Sequence, residues 1–256
     1  MEQPQAHADA RGPALAGFFL TLLNALQFAF TLLWTAGWIS VSLCVQLVTG
    51  RPDLALRMAR ACWAPLLLDA AGGLTVDGAE AIDWSRPYLV VANHQSILDI
   101  CVVFRAVPVP LRFLLKDEMR RVPFVNWYAQ ATGMLFITRD DRRSGPLLRR
   151  QAAGVLQAGQ MLCLFPEGTR ARDGRLAEFK SGSFQAAIDA GVEVLPIAIH
   201  GTGDVLPAVG FFCARRGPMR ATIGKPLSTT GCVGAAGRQT IARQAHDAVA
   251  AMLAGR

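Results

Sequence analysis

The sequence lacks any charged residue over a long N-terminal stretch. Gly12 to Gly50, 39 residues in all, include no aspartate, glutamate, lysine, arginine or histidine. The apolar core of a signal peptide is only about 7–15 residues long, whereas a membrane-spanning helix needs about 20. The length without charge therefore argues against a signal peptide and against a buried core helix. It predicts a membrane segment, formed either by one long helix or by a tight hairpin.

Lysine is also scarce. It occurs only at Lys116, Lys180 and Lys225, so the net charge of +7 comes almost wholly from arginine. A basic protein can bind nucleic acid, anionic lipid headgroups or an acidic protein. The basic residues are not interleaved with aromatic ones and belong to no nucleic-acid-binding motif. Beside an apolar N-terminus, we expect a membrane lipid partner and no nucleic acid.

Cysteine pairs with metal-ligand spacing are missing. The six cysteines are scattered and form no C-x-x-C pair, and several lie inside apolar runs. Such residues are typical of buried, reduced thiols in a cytosolic domain. The sequence therefore predicts neither a disulfide framework nor a metal site.

Common catalytic motifs are absent as well. The chain has no G-x-S-x-G, no P-loop and no complete G-x-G-x-x-G, which excludes the usual hydrolase nucleophile elbow and the common nucleotide-binding loops. Ser96 follows His94 too closely to form a convincing serine–base pair, so we expect no covalent intermediate. We interpret His200 as a structural residue at a strand end.

Basic residues follow the uncharged segment. Over residues 51–60 three arginines outnumber the single acidic residue Asp53, whereas residues 1–11 are nearly balanced. Because positive charge collects on the cytoplasmic side of membrane segments, we expect the rest of the chain on the cytoplasmic face of the inner membrane.

Downstream of about residue 73, short apolar runs alternate with amphipathic segments. This pattern predicts an α/β domain with a mostly parallel sheet flanked by helices. We therefore divide the chain into an N-terminal membrane-anchoring helical segment (1–60) and an α/β domain (61–256). Strands are predicted near 88–92, 111–115, 134–138, 161–165, 193–199 and 219–223. Helices are predicted near 96–106, 122–132, 145–158, 181–190 and 238–254.

Polar residues fall at or just after the ends of these strands. In an open parallel sheet, ligands bind outside the carboxyl ends of the strands, so we expect these side chains to converge on one edge. They are Asn93-His94, Lys116, Thr138-Arg139, Phe165 to Arg170, and His200-Gly201.

His94 and Asp99 are candidates for a base and its orienting carboxylate. On one ideal helix their side chains would point about 140° apart. They can meet only if His94 lies in the turn before a helix and Asp99 in its first turns, with Asn93 and Ser96 as cap residues and Ile97 beginning the apolar face. A carboxylate bonded to one ring nitrogen leaves the other free as a base. The simpler alternative is a capping aspartate beside a loop histidine.

The segment Phe165-Pro-Glu-Gly-Thr-Arg170 is typical of an anion site. A glycine lets backbone N–H groups approach a phosphate, and Arg170 offers a planar fork that matches its oxygens. Glu167 would repel phosphate, so we expect it to bond an acceptor hydroxyl or to orient Arg170. An ordinary β-turn is the alternative. Other arginines nearby, Arg142, Arg143, Arg149 and Arg150, are interpreted as a solvated helix face.

Four blocks, taken in order, resemble the glycerolipid acyltransferase family, in particular its bacterial 1-acyl-sn-glycerol-3-phosphate acyltransferases. The resemblance covers about residues 73–205 and includes Phe179-Lys180-Ser181-Gly182. The blocks are Asn93-His94 with Asp99, Phe136-Ile137-Thr138-Arg139, Phe165-Pro166-Glu167-Gly168-Thr169-Arg170, and Val194-Leu195-Pro196-Ile197.

The resemblance implies a role for each candidate residue. His94 takes the proton of an acceptor hydroxyl, and Asp99 orients it. Lys116 faces phosphate, and Pro196 belongs to the wall near the acyl group. Thr138 stands where many relatives carry another polar residue, which leaves the acceptor headgroup open. The residues implied to hold the glycerol phosphate are Arg139, Glu167, Gly168, Thr169 and Arg170.

The implied reaction moves a fatty acyl chain from acyl-ACP or acyl-CoA to the free hydroxyl of 1-acyl-glycerol-3-phosphate, giving phosphatidic acid in phospholipid biosynthesis. No cofactor or metal is expected, because the thioester is already activated. One alternative is an acyltransferase for another acceptor, such as a lyso-ornithine lipid or glycerol 3-phosphate. Another is a non-catalytic, lipid-binding membrane adaptor, against which the intact His94 and Asp99 argue.

Overall fold

The short apolar runs form the strands of a single sheet. The computed structural model describes residues 11–138, 144–171, 174–208 and 215–255, without the side chains of residues 11–18 and 144. The strands are β1 (Leu74–Asp77), β2 (Tyr88–Ala92), β3 (Leu111–Lys116), β4 (Leu135–Ile137), β5 (Met161–Leu164), β6 (Glu193–His200) and β7 (Met219–Ile223). The helices are α1 (Arg11–Thr49), α2 (Pro52–Met58), α3 (Ala64–Ala70), α4 (Leu98–Ala106), α5 (Pro123–Thr132), α6 (Ser144–Gln157), α7 (Gln185–Ala190), α8 (Thr202–Val205) and α9 (Gly234–Ala254).

The sheet is mostly parallel. Its order is β1-β7-β6-β2-β5-β3-β4, and every neighbouring pair is parallel except β6 and β7. The prediction of an α/β fold with a mostly parallel sheet flanked by helices is therefore confirmed. The carboxyl ends of β2 to β6 share one edge, and the predicted polar segments follow these ends.

The two faces of the sheet support separate apolar cores. In β2, Val90 and Ala92 join a core with α3 and α4, whereas Leu89 and Val91 join a core with α6, α7 and α9. A strand covered on both faces has no polar side, which explains its unbroken apolar sequence. Each fully buried Val or Leu contributes about 1.5–3 kcal/mol. The strand ends at the shared edge are thus held from both sides.

The uncharged N-terminal segment forms one helix. α1 is continuous from Arg11 to Thr49, so of the two predicted forms the hairpin is excluded. Phe19 to Thr49 is long and apolar enough to cross a membrane, and only 11% of its apolar window is buried. Large side chains between Phe19 and Leu33 are exposed, whereas Ile39 and Ser42 are buried. This exposed apolar length suggests membrane association.

The second half of α1 is fastened to the rest of the chain. The Trp63 indole N–H donates to Thr35 Oγ1 at 3.1 Å, and the Trp34 indole N–H donates to the Trp63 carbonyl at 3.2 Å. The Gln46 side-chain amide donates to the carbonyl of Ala131 in α5. α1 therefore has a protruding part and a part that packs on the domain.

Some predicted boundaries differ from the structure. β1 was missed because its four residues alternate between half-buried and exposed at the sheet edge, where only β7 pairs with it. α9 begins at Gly234 rather than near 238. The predicted domain boundary at residue 60 falls inside the unbroken helical run 52–70, which contains a π-helical turn at Ala59–Trp63. The division into two domains stays a prediction.

The buried cysteines are inert. Burial raises the pKa of the Cys101 and Cys163 thiols well above their ordinary value, so both stay protonated. Each of the five cysteines that the structure describes is free of disulfide bonds. Cys213 lies outside the described residues.

Candidate active site

The loop after β2 is anchored to the neighbouring strand. The Asn93 side chain donates through Nδ2 to the Ile199 carbonyl at 2.9 Å and accepts the Ile199 N–H through Oδ1 at 2.7 Å. Asn93 thus acts as an extra rung between β2 and β6 rather than as the predicted helix cap. This fixes where the next residue, His94, leaves the sheet.

His94 and Asp99 form the contact that their spacing allows. His94 lies in the loop before α4, and Asp99 lies in the first turn of that helix. His94 Nδ1 is 2.8 Å from Asp99 Oδ2. The His94 side chain is 18% exposed, whereas that of Asp99 is fully buried. The imidazole therefore reaches solvent while its carboxylate partner does not.

The Asp99 carboxylate accepts several further hydrogen bonds. The backbone N–H groups of Gln95 and Ser96 donate to Oδ2 at 2.6 Å and 2.9 Å, and the Thr202 hydroxyl donates to Oδ1 at 2.6 Å. A carboxylate with such donors acts as an acceptor. It thus takes the Nδ1–H of His94, and Nε2 keeps a lone pair.

The start of α4 differs from the prediction in one respect. Ser96 Oγ accepts the Leu98 N–H at 3.2 Å and so serves a capping function, although it also donates to the Leu206 carbonyl at 2.7 Å. Ile97 is an exposed residue, and the buried apolar face begins at Leu98. The buried apolar face therefore starts one residue later than predicted.

An aromatic ring supports the imidazole. Phe165 stacks on His94 with ring centroids 4.0 Å apart and planes 13° apart, and Phe113 lies behind it at 6.4 Å. The stack limits rotation of the imidazole, while the hydrogen bond to Asp99 fixes its direction. The ring of His94 is thus held in one orientation.

Glu167 binds the backbone of the histidine loop. Its Oε1 accepts the His94 N–H at 2.7 Å, and its Oε2 accepts the Ala177 N–H at 3.1 Å. The side chain is 4% exposed. Burial raises the pKa of this carboxyl above its ordinary value, and the two amide hydrogen bonds and His94 oppose that rise. Both oxygens thus have partners other than an acceptor hydroxyl or Arg170.

Gly168 sits in a tight turn beneath a lysine. Its φ is +78°, and an added Cβ would lie 2.7 Å from Lys180 Nζ. The Gly168 N–H donates to the Phe165 carbonyl, and the Lys180 N–H donates to the Pro166 carbonyl, each at 3.0 Å. The sequence reasoning assigned no role to Lys180, although its ammonium lies directly over the turn.

Four of the five remaining predicted residues lie in the described part of the chain. Thr169 and Arg170 are exposed at the end of the turn, and Lys116 is exposed at the end of β3. Pro196 is buried inside β6, where an added Cβ at Gly224 would lie 3.0 Å from its ring. Arg139 lies outside the described residues.

The cluster accounts for much of the buried polarity of the protein. The buried polar or charged residues of the described chain number nine, and five of them belong to this network: Asn93, Ser96, Asp99, Glu167 and Thr202. Buried polar groups are costly unless they are paired. Within the described ranges, no group of three or more His, Cys, Asp or Glu residues could hold a metal ion. The arrangement suits a histidine general base.

Two contributors were missed by the sequence reasoning. The sequence reasoning assigned no role to Thr202 and considered Phe165 only as part of its loop. Both lie within two residues of the end of a strand, β5 or β6, whose carboxyl end is at the shared edge. That position was the one signal that could have identified them.

The chain is similar in sequence to known proteins. The family described as Acyltransferase matches residues 73–200. The chain is 39% identical to a 1-acyl-sn-glycerol-3-phosphate acyltransferase of Chlamydomonas reinhardtii, over 56% of this chain and 42% of that protein. It is 34% identical to a lyso-ornithine lipid O-acyltransferase of Pseudomonas aeruginosa, over 66% of this chain and 69% of that protein.

A solved structure is similar over nearly its whole length. The crystal structure of the 1-acyl-sn-glycerophosphate (LPA) acyltransferase PlsC from Thermotoga maritima matches with a TM-score of 0.77 and 26% identity, covering 95% of this chain and 98% of that one. By contrast, the chain spans only about half the length of the curated plant and algal relatives, 42% for the algal protein and 46% for the LPAT1 acyltransferase of Arabidopsis thaliana. The family match covers half of this chain and includes the His94 loop, so the protein belongs to the Acyltransferase family.

Proposed function

We propose that the protein transfers a fatty acyl chain from a thioester to the free hydroxyl of 1-acyl-glycerol-3-phosphate, giving phosphatidic acid. The observation that carries this proposal is the 2.8 Å contact between His94 Nδ1 and Asp99 Oδ2 beside a partly exposed imidazole. The names of several relatives, and of the similar structure from Thermotoga maritima, point to the same acceptor.

The proposed reaction is one direct displacement. His94 Nε2 takes the proton of the acceptor hydroxyl as that oxygen attacks the thioester carbonyl carbon. The new C–O bond forms, the C–S bond breaks, and the leaving thiolate recovers the proton from the imidazolium. Asp99 stabilises the transient positive charge on His94. Such general-base catalysis contributes about 10²–10⁴-fold to the rate.

Glu167 is proposed to position His94 rather than to bind the acceptor. Its two oxygens hold the amides of His94 and Ala177. The His94 carbonyl in turn accepts the Ala171 N–H at 2.8 Å. The loop after β5 therefore binds both the N–H and the carbonyl group of His94. These contacts hold the imidazole in the position that it needs to meet the acceptor hydroxyl.

The acceptor phosphate is proposed to lie over the Gly168 turn. Arg170 is exposed and, among the residues that the structure describes, forms no ion pair, so its guanidinium is available for a phosphate. Lys116, Thr169 and, from its sequence position, Arg139 are proposed to complete the site. A bidentate arginine–phosphate contact matches this acceptor better than a neutral headgroup.

A lyso-ornithine lipid is the second candidate acceptor. The Pseudomonas aeruginosa relative of that name matches over 69% of its own length, more than the algal acyltransferase does. An ornithine headgroup has no phosphate and offers the cations near Gly168 only a carboxylate, which an ammonium group of the same headgroup already balances. Glycerol 3-phosphate is a third acceptor to be tested, because it keeps the phosphate but lacks the acyl chain.

We further propose that the protein works on the cytoplasmic face of the inner membrane. The protruding half of α1 is apolar, and Arg51, Arg57 and Arg60 follow its end. An active site beside a membrane segment can meet an acceptor that is itself a lipid. The donor is acyl-ACP or acyl-CoA, both of which are water-soluble carriers on that side.

The test offers purified full-length protein three acceptors: lysophosphatidate, lyso-ornithine lipid and glycerol 3-phosphate, each with acyl-ACP and with acyl-CoA. Products are identified by mass spectrometry, with His94→Ala as the matched control. We expect phosphatidic acid from the wild type and none from the control. Preferential acylation of lyso-ornithine lipid would replace the proposed acceptor, and no acylation of any acceptor would support the adaptor alternative.

A further inference from the structure

Thr202 is the least expected member of the histidine network. It is the first residue of α8, two residues after the end of β6, and it is fully buried. Its hydroxyl donates to Asp99 Oδ1 at 2.6 Å across 103 residues of sequence. A short hydrogen bond from a hydroxyl to a buried carboxylate belongs to the stronger, charge-assisted class.

The donors around Asp99 are unevenly distributed. Oδ2 lies within hydrogen-bond distance of three donors, namely His94 Nδ1 and the amides of Gln95 and Ser96. Oδ1 has one partner in the described part of the chain, the Thr202 hydroxyl. Without that hydroxyl, Oδ1 would be a buried oxygen with no donor, which is costly.

The position of Thr202 is itself fixed. Gly201 before it has a φ of +80°, and an added Cβ there would lie 2.3 Å from the Pro218 carbonyl oxygen. The Thr202 carbonyl accepts the Leu206 N–H at 2.9 Å, and the Leu206 carbonyl accepts the Ser96 hydroxyl at 2.7 Å. Two hydroxyl hydrogen bonds therefore join the α8 turn to the His94 loop.

We propose that Thr202 is a positioning residue that fixes the rotation of the Asp99 carboxylate. Its hydroxyl holds Oδ1, so that Oδ2 stays directed at His94 Nδ1. The functional unit is then a chain of three side chains, Thr202–Asp99–His94, in which only His94 meets the substrate. This inference rests on the proposed acyl transfer, because the imidazole that it positions is the proposed base.

Two variants separate this role from ordinary packing. Thr202→Val keeps the shape and removes the donor, whereas Thr202→Ser keeps the donor. Thr132→Val is the matched control, because Thr132 is also fully buried and donates at 2.7 Å, but to the Tyr128 carbonyl inside α5. Loss of one hydrogen bond of this class lowers a rate by about ten-fold.

We expect Thr202→Val to lower kcat about ten-fold while KM for both substrates changes little. Thr202→Ser should recover most of the loss, and Thr132→Val should lose thermal stability but keep kcat. Wild-type kcat in Thr202→Val, with reduced stability alone, would overturn the proposal. If Thr202→Val does not fold, Thr202→Cys replaces it with the same expectations, because a thiol is a weak donor of similar size.

A second measurement does not depend on turnover. The chain has only four histidines, so ¹⁵N-histidine labelling of the full chain in detergent gives few imidazole signals, and His94→Ala assigns that of His94. We expect the wild-type ring to carry its proton on Nδ1 and Thr202→Val to shift the signal toward a mixture of tautomers. An unchanged tautomer would contradict the proposal. If no acceptor is acylated, acyl transfer fails as the function, whereas the tautomer still tests Thr202.

Discussion

The backbone N–H of His94 donates to Glu167 Oε1 at 2.7 Å, across 73 residues of sequence. A buried carboxylate here holds a backbone group of the residue that we propose as the base. The loop that carries Glu167 also donates a hydrogen bond to the same segment, from the Ala171 N–H to the His94 carbonyl at 2.8 Å. The block that contains His94 and the block that contains Glu167, both of which resemble family motifs, are thus joined into one structural unit.

Glu167→Gln should impair catalysis without removing the imidazole. A glutamine side chain has one acceptor oxygen, so it can accept from the amide of His94 or of Ala177 but not from both. We expect a destabilisation of about 1–3 kcal/mol and a lower kcat. Denaturant unfolding and steady-state kinetics measure the two effects. Unchanged kcat together with unchanged stability would show that the contacts of Glu167 are unimportant.

The pH dependence of stability offers a separate check on Glu167. Its pKa is raised above the ordinary value of 4.5, chiefly by burial, so the folded chain binds the proton more tightly than the unfolded chain. Its contribution to stability is therefore fully present below that value and is lost as the pH rises through the raised pKa. We expect the stability of the wild type relative to Glu167→Gln to fall as the pH rises above the ordinary pKa of 4.5. A relative stability that grows with pH would contradict the shift.

Arg170→Ala should weaken acceptor use specifically. Loss of a charged hydrogen bond of about 1.5–3 kcal/mol raises the acceptor KM, or lowers kcat, by about 10–100-fold. Arg243→Ala is the control, because Arg243 is exposed on α9. Kinetics with each substrate varied in turn provide the measurement. A change confined to the donor parameters would instead make Arg170 a donor residue.

Truncation of α1 should separate attachment from chemistry. Deleting residues 1–33 removes the exposed half of the helix but keeps the contact between Trp63 and Thr35. We expect most activity on membrane-embedded acceptor to be lost and activity on dispersed, short-chain acceptor to remain. Deleting residues 1–50 also removes buried Ile39 and Ser42, so both activities should fall.

Extraction tests the same assignment directly. Alkaline carbonate should leave the full-length chain in the membrane pellet and release the chain that lacks residues 1–33. Recovery of the full-length chain in the supernatant, with full activity after truncation, would show that the apolar run is not a membrane segment.

The sequence predicted the parts of the site that depend on local spacing. His94 and Asp99 are five residues apart, and only a loop followed by a helix lets them meet, which is the observed arrangement. The contacts of Glu167 and Thr202 with this loop span 73 and 103 residues. Strand order decides such contacts, and the apolar pattern specifies strands but not their order. The same reason explains why Glu167 was expected to face the acceptor.

Local sequence patterns also could not decide whether the N-terminal segment forms one long helix or a hairpin. α1 continues without a break through the polar residues Asn24 and Gln27 and through Gly37. One glycine costs a helix only about 1 kcal/mol, which is too little to force a hairpin. Packing of the half that contains Ile39 and Ser42 against the domain supports the continuous helix.

Asp99→Asn tests the orienting half of the pair. In Asp99→Asn an N–H₂ group replaces one of the two carboxylate oxygens, so that group faces hydrogen-bond donors instead of accepting from them. The change disturbs the tautomer of His94 but leaves the base in place. We expect kcat to fall about 10²-fold, less than after loss of His94. Unchanged kcat in steady-state assays would show that Asp99 serves only as a helix-terminal residue.

His94→Ala with lysophosphatidate and a thioester donor is the most direct test of the central claim. Product formation is followed by mass spectrometry, and circular dichroism and unfolding curves verify that the variant is folded. We predict a folded protein that forms no phosphatidic acid above the uncatalysed background. Near-normal turnover in folded His94→Ala would contradict the claim that His94 is the base.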